Sequence, residues 1–158
     1  MATKRDGEKY LGHELHVPLS QDGQVMAYVW PVRALNVRGS WCGGPTIGID
    51  VGNEEIIRFD CHDRPGHWHG GGYDKGGSPG ASHRDFPKDI VAVADQVDWS
   101  LQQVSERTSE LLAEADHGEA AEAVDAAMLQ EAVGLIRNHL KQQGHLRDEA
   151  ISAGIIEA

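Results

Sequence analysis

A chain of 158 residues, 40% of them hydrophobic, is long enough for one packed core, and it has no run of about 18 apolar residues to cross a membrane. A formal net charge of −11 excludes a general affinity for nucleic acid, which needs clustered Lys and Arg. Two cysteines, Cys42 and Cys61, are too few for a disulfide scaffold, and the polar Met1–Tyr10 segment lacks the apolar stretch of a secretory signal; a cytoplasmic protein with two reduced thiols is expected.

Met1–Lys9 mixes charges without a period and is expected to fray. His13 and His16 follow, but His-Glu-Leu-His is one residue short of the His-Glu-x-x-His helix whose imidazoles share a face, so they read as surface or capping histidines. Val25–Val37 is β-branched, aromatic and aliphatic, a strand, with Pro31 marking an edge or a bulge because proline cannot donate to a ladder. Gly39–Pro45 reads as a loop.

Thr46–Val51 and Glu55–Cys61 alternate apolar and polar residues around Gly52-Asn53, which predicts a β-hairpin. A three-residue loop aligns the apolar rows, Ile49 opposite Ile57 and Ile47 opposite Phe59, and leaves Arg58, Asp60 and His62 on the other face. Beyond the glycine-rich stretch the period lengthens: Ile90, Val93, Val97, Leu101, Val104, Leu111 and Ala115 predict a long helix that starts near Pro87 and stops at Asp116-His117-Gly118. A second runs from about Glu119 to Gln143, with Leu135 among its apolar residues and Gly144 as its cap, and His145–Ala158 is a short helix or tail.

The expected fold is α+β in a single domain over residues 1–158: an N-terminal arm at 1–20, a small antiparallel β-sheet at 21–65, a Gly/His-rich loop at 66–86 across the sheet's end, and a helical part at 87–158 whose antiparallel helix pair covers the sheet. The loop and the strand before it hold four of the nine histidines, several carboxylates and most of the consecutive glycines, a mixture suited neither to a core nor to an ordinary linker.

His67-Trp68-His69 on extended backbone turns both imidazoles to one face, a common way to hold two positions of a metal site. The expected ligand set is His62, His67, His69 and His83, with Asp60 or Asp74 as a further ligand or as the acceptor that orients one, and a divalent transition metal such as zinc suits these donors. The alternative is a flexible loop whose histidines bond only backbone and solvent.

His67-x-His69, then Asp74 and His83, faintly resembles the metal motif of cupins, with Asp where Glu is usual. Arg58, Phe59, Asp60 and Cys61 leading into Pro65, His67, Trp68 and His69 resemble the pattern of a bacterial family of small uncharacterised proteins grouped as a domain of unknown function; this resemblance spans Val25 to about Leu140 and implies no activity. The same order of strand and histidines is similar to the TumE-type toxin group, which would imply RNA cleavage with His67 and His69 as acid and base and Arg58 or Arg64 facing the phosphorane. Arg137-Asn138 and His145 do not complete the helical motif of another RNase class, because Gly144 ends the helix between them.

Three functions are compatible with these residues: an uncharacterised soluble protein that binds a divalent metal at its His-rich loop, with a hydrolytic role; a non-catalytic interaction module or accessory subunit; and a histidine-dependent RNase of toxin type. The apolar residues Ile151, Ile155 and Ile156 would serve a homo-oligomer or a protein partner through the C-terminal helices.

Overall fold

The computed structural model describes residues 5–74 and 82–157. The N-terminal half forms β1 (Lys9–Leu11), β2 (Leu15–Pro18), β3 (Val25–Val37), β4 (Ser40–Val51), β5 (Glu54–Asp60), β6 (His67–His69) and β7 (His83–Arg84); the rest forms α1 (Val93–Glu114), α2 (Gly118–Ala123), α3 (Ala126–Gln142) and α4 (Leu146–Ser152). All strand pairs are antiparallel, in the order β1-β3-β4-β5-β6-β7, with β2 also on β3. The expected α+β architecture is the observed one. No helix among the described residues is long and apolar enough to cross a membrane.

Period-two alternation sorts the sheet into two faces. Val29, Ile47, Phe59 and Trp68 are register partners across β3, β4, β5 and β6, and Ala27, Ile49 and Ile57 form the next apolar row. These rows pack against Leu101, Val104, Leu111 and Leu112 of α1 and Leu129, Ala132 and Ile136 of α3. The interleaved rows run Trp30, Thr46, Asp60, His67 and Tyr28, Gly48, Arg58, His69, His83. The site is therefore built on the sheet face opposite the helices, by the same alternation that builds the core.

The hairpin pairs Ile47 with Phe59 and Ile49 with Ile57 as expected, but by a different device. The turn has two residues, Gly52 and Asn53, with Gly52 at φ 62°, and the register slip is absorbed by a bulge at Ile56. Pro31 does mark a bulge: Pro31 and Val32 lie opposite Pro45 alone, so neither proline withholds a ladder bond.

Gly39–Pro45 is not a loop. Only Arg38 and Gly39 turn, both at positive φ, and β4 begins at Ser40. Gly43 and Gly44 serve close approach: a Cβ on Gly44 would stand 2.3 Å from the Cys61 carbonyl oxygen. Because that oxygen belongs to the neighbouring backbone and cannot swing away, Gly44→Ala is expected to cost about 1–3 kcal/mol, read as a lowered melting temperature; an unchanged melting temperature would refute the close-packing role.

The second long helix is broken. Val124 is extended and bridges Ser20, the Asp125 amide donates to the Leu19 carbonyl at 2.8 Å, and the Asp125 carboxylate caps α3 through the Met128 amide at 2.9 Å. The long helix starts at Val93, not near Pro87, and stops as expected with Asp116 at φ 63°. Leu135 is exposed, and Gln143 takes the capping position expected of Gly144. Ile151, Ile155 and Ile156 pack within the chain, on Ala34, Leu11 and Trp41 at the far end of β3 and β4. Both cysteines are free thiols, and Cys61 is buried beside Ser100.

The expected fraying of Met1–Lys9 lies outside the described residues for Met1–Lys4; Arg5–Lys9 is ordered against the sheet, with Glu8 bonded to Arg33. The expected 66–86 loop is partly sheet, since β6 and β7 extend the ladder, and its glycine bend at 75–81 lies outside the described residues.

Candidate metal centre

Asp60 ends β5 with its carboxylate on the polar face, fully buried, and it is the common partner of everything around it. Oδ1 accepts from Arg33 Nη1 at 3.0 Å and from Thr46 Oγ1 at 3.1 Å; Oδ2 accepts from Arg58 Nε at 3.1 Å. Burial alone would raise the carboxyl pKa, but the charges of Arg58 and Arg33 and the facing imidazoles outweigh it and hold Asp60 well below the usual carboxylate range. Arg33 in turn binds Glu8, and Arg58 lies 3.8 Å from Glu55 and donates to the Tyr73 hydroxyl at 2.9 Å. Three carboxylates thus meet two buried guanidiniums, with the more exposed Arg5 4.0 Å from Glu55 as a third.

β6 lies beside β5, so His67 stands opposite Asp60 and His69 opposite Arg58. His67 Nε2 is 3.3 Å and His69 Nε2 3.8 Å from Asp60 Oδ2, and the two Nε2 atoms are 3.0 Å apart. The other ring nitrogens are tied from behind. His67 Nδ1 faces the Pro65 carbonyl at 2.9 Å, which only accepts, so Nδ1 carries a hydrogen and Nε2 is the nitrogen that faces Asp60. His69 Nδ1 is 3.0 Å from the Ser82 hydroxyl, and burial drives the His69 imidazole pKa down to about 3. Two imidazole nitrogens and one carboxylate oxygen therefore converge on a common point.

Ligands 2.0–2.2 Å from a tetrahedral ion stand about 3.4 Å apart, and the three observed separations straddle that value. The set is two imidazoles and one carboxylate, and it is the group among the described residues spaced to hold an ion.

The remaining expected ligands stand elsewhere. His62 is buried behind Asp60, its Nε2 3.3 Å from Thr46 Oγ1 and 4.0 Å from Asp60 Oδ1. Thr46 gives its one hydroxyl hydrogen to Asp60, so His62 Nε2 carries the hydrogen bonded to Thr46, and burial lowers this imidazole to about 4. His83 stacks on His67 with ring centroids 4.7 Å apart, half-exposed, and its Nε2 bonds Asp85 at 3.1 Å. Asp74 bonds His117 Nε2 at 2.9 Å, tying the segment after β6 to the turn between α1 and α2. His13 and His16 stay near β2, where His139 Nε2 bonds the His13 carbonyl and His16 pairs with Glu14.

Arg33, Thr46 and Glu8 complete the site and were not expected in it. Arg33 had a legible signal, a lone cation inside the apolar run Val25–Val37, where only a buried partner makes it tolerable. Thr46 and Glu8 had none, since both look ordinary in their local sequence.

No curated protein and no solved structure matches the chain. A family model described as Domain of unknown function (DUF7700) matches residues 24–140. That span runs from the start of β3 through most of α3 and contains Arg33, Thr46, Arg58, Asp60, His67 and His69, but not Glu8. It agrees with the resemblance drawn from the Arg-Phe-Asp-Cys strand and the histidines after it, and the chain belongs to this family of unknown function.

Proposed function

We propose that the protein binds one divalent transition metal, zinc being the first to test, through Asp60 Oδ2, His67 Nε2 and His69 Nε2. The observation that carries the reading is the triangle of 3.0, 3.3 and 3.8 Å between three donor atoms whose rear contacts already fix their orientation. Arg33, Thr46 and Arg58 hold the carboxylate in place. With His83 on Asp85 the set has three protein ligands and an open position, the composition of hydrolytic rather than structural zinc sites. His83 turned from Asp85 would supply a fourth nitrogen and close the site.

Calorimetric titration of untagged protein with zinc is expected to give one ion per chain, and His67→Ala combined with His69→Ala to abolish it. Binding that survives the double substitution would remove the proposal. His83→Ala separates the two coordination states: unchanged affinity supports the open site, and a large loss supports the closed one.

A second reading rests on the 3.0 Å contact between the two Nε2 atoms with Arg58 alongside, which suits a metal-free acid–base pair acting on phosphate. Bulk RNA incubated in EDTA distinguishes the two, since cleavage there that His67→Ala abolishes would favour the pair.

A further inference from the structure

We infer that the outer edge of the Arg33 guanidinium is a binding site for a small oxyanion, the carboxylate or phosphate of an organic ligand, and that the chain's own Glu8 occupies it in this structure. Arg33 is buried, and it divides its donors between two carboxylates: Nη1 holds Asp60, while Nε and Nη2 hold Glu8 at 2.9 and 2.5 Å. The second contact is the side-on, two-point geometry in which arginine takes any carboxylate or phosphate.

Asp60 arrives on a neighbouring strand of the sheet, whereas Glu8 arrives on the arm. The turn Arg5–Glu8, closed by the Glu8 amide on the Arg5 carbonyl with Gly7 at φ 82°, lays it over the polar face. Between arm and sheet lies a narrow cleft, about 10 Å³ while Glu8 is in place, with Tyr28, Thr46, Arg33, Glu55 and Arg58 on the sheet side and Arg5 and Tyr10 on the arm side. Arg33, Thr46 and Arg58 lie within the segment that matches the family, and Glu8 lies before it. The half of the cleft within the matched span thus carries two guanidiniums and two hydroxyls beside Glu55, and the carboxylate on the Arg33 fork comes from outside that span.

Charge permits an exchange. Without Glu8, Asp60 and Glu55 balance Arg33 and Arg58, and an incoming oxyanion takes the place of the Glu8 charge beside Arg33 and Arg5. Arg33, through Nη1, and the two imidazoles address opposite oxygens of the one Asp60 carboxylate. Resting on the metal reading, the site gives that centre a substrate class: a small acid anchored at Arg33, which shares Asp60 with His67 and His69. The anion site itself needs no metal.

The test is melting in inorganic phosphate and, separately, in acetate, at constant ionic strength with chloride as the balance, first in EDTA and then with zinc. Glu8→Ala is expected to lower the starting melting temperature and then to recover about 4 °C at an anion concentration ten times the dissociation constant, more than the parent protein gains. Arg33→Lys added to Glu8→Ala should erase the response. A response to phosphate alone would assign phosphate esters, and one to acetate alone would assign carboxylic acids. If Glu8→Ala does not fold, Glu8→Gln keeps the shape and removes the charge. Variants that respond to neither anion beyond the parent would leave Glu8 a structural ion pair and overturn the inference. Failure of zinc binding with the EDTA response intact would remove the metal reading alone.

Discussion

Asp60→Ala is expected to destabilise the protein by about 3–5 kcal/mol, the cost of breaking a buried ion pair by removing one partner. The carboxylate is the shared acceptor for Arg33, Arg58 and Thr46, all buried on the polar face. Without it Arg58 keeps a 3.8 Å approach to Glu55 and its contacts to Tyr73, and of its two carboxylates Arg33 keeps Glu8. Two desolvated guanidiniums then face each other across a cavity. For a chain of this length the melting temperature should fall by about 10 °C, and urea unfolding gives the free energy directly. Asp60→Asn should lose somewhat less, because the amide still offers one oxygen but turns an N–H toward a guanidinium. Distance alone does not set such effects: Arg137 and Asp98 approach at 2.6 Å, yet both are largely exposed, and breaking that pair should leave stability nearly unchanged. A loss for Asp60→Ala no larger than for Asp98→Ala would mean the arginines find water or other partners, and the buried cluster would not be the organising centre of this face.

The fold was legible where one physical rule acted alone. Alternation placed Ile47, Ile49, Ile57 and Phe59 on one face and Arg58, Asp60 and His62 on the other, and the register of the apolar rows followed from burial whichever turn joined them. Two rules in competition hid the rest. Gly43 and Gly44 carry the usual mark of a loop, but here glycine answers a need for space between strands, which depends on Cys61 and Arg33 far along the chain. The break at Val124-Asp125 has its capping residue in plain view, but the force that opens the helix is the pairing with Leu19 and Ser20. For the site, His67-Trp68-His69 announced two convergent imidazoles, and strand pairing with β5 then selected Asp60 as the acid between them. His62 and His83 have the right chemistry but sit one layer behind and one layer outside the triangle, an offset that the spacing of residues cannot encode.

The stability that His62 and His69 contribute to the metal-free protein should be lost as pH falls from 7 to 5. His62 and His69 are held at about 4 and about 3 by burial, against an ordinary value near 6.5 in the unfolded chain. Between those limits the unfolded state takes up protons that the folded state refuses, so the stability these imidazoles contribute is complete above about 6.5 and is lost as pH falls toward 4. For His62 alone the loss by pH 5 is about 2 kcal/mol, and His69 acts in the same direction. Asp60 follows at lower pH: its depressed folded value leaves its contribution intact above about 3.9 and removes it below, in a window well separated from that of the histidines. Urea unfolding in EDTA at pH 7, 6 and 5 measures the slope. His62→Gln, which still offers a donor to Thr46, should flatten it by about one proton while leaving the region below pH 4 steep. Zinc should steepen the same limb, because protons and metal compete for the His67 and His69 Nε2 lone pairs. A slope that His62→Gln leaves unchanged would mean that His62 accepts its proton in the folded state and that burial does not hold it neutral.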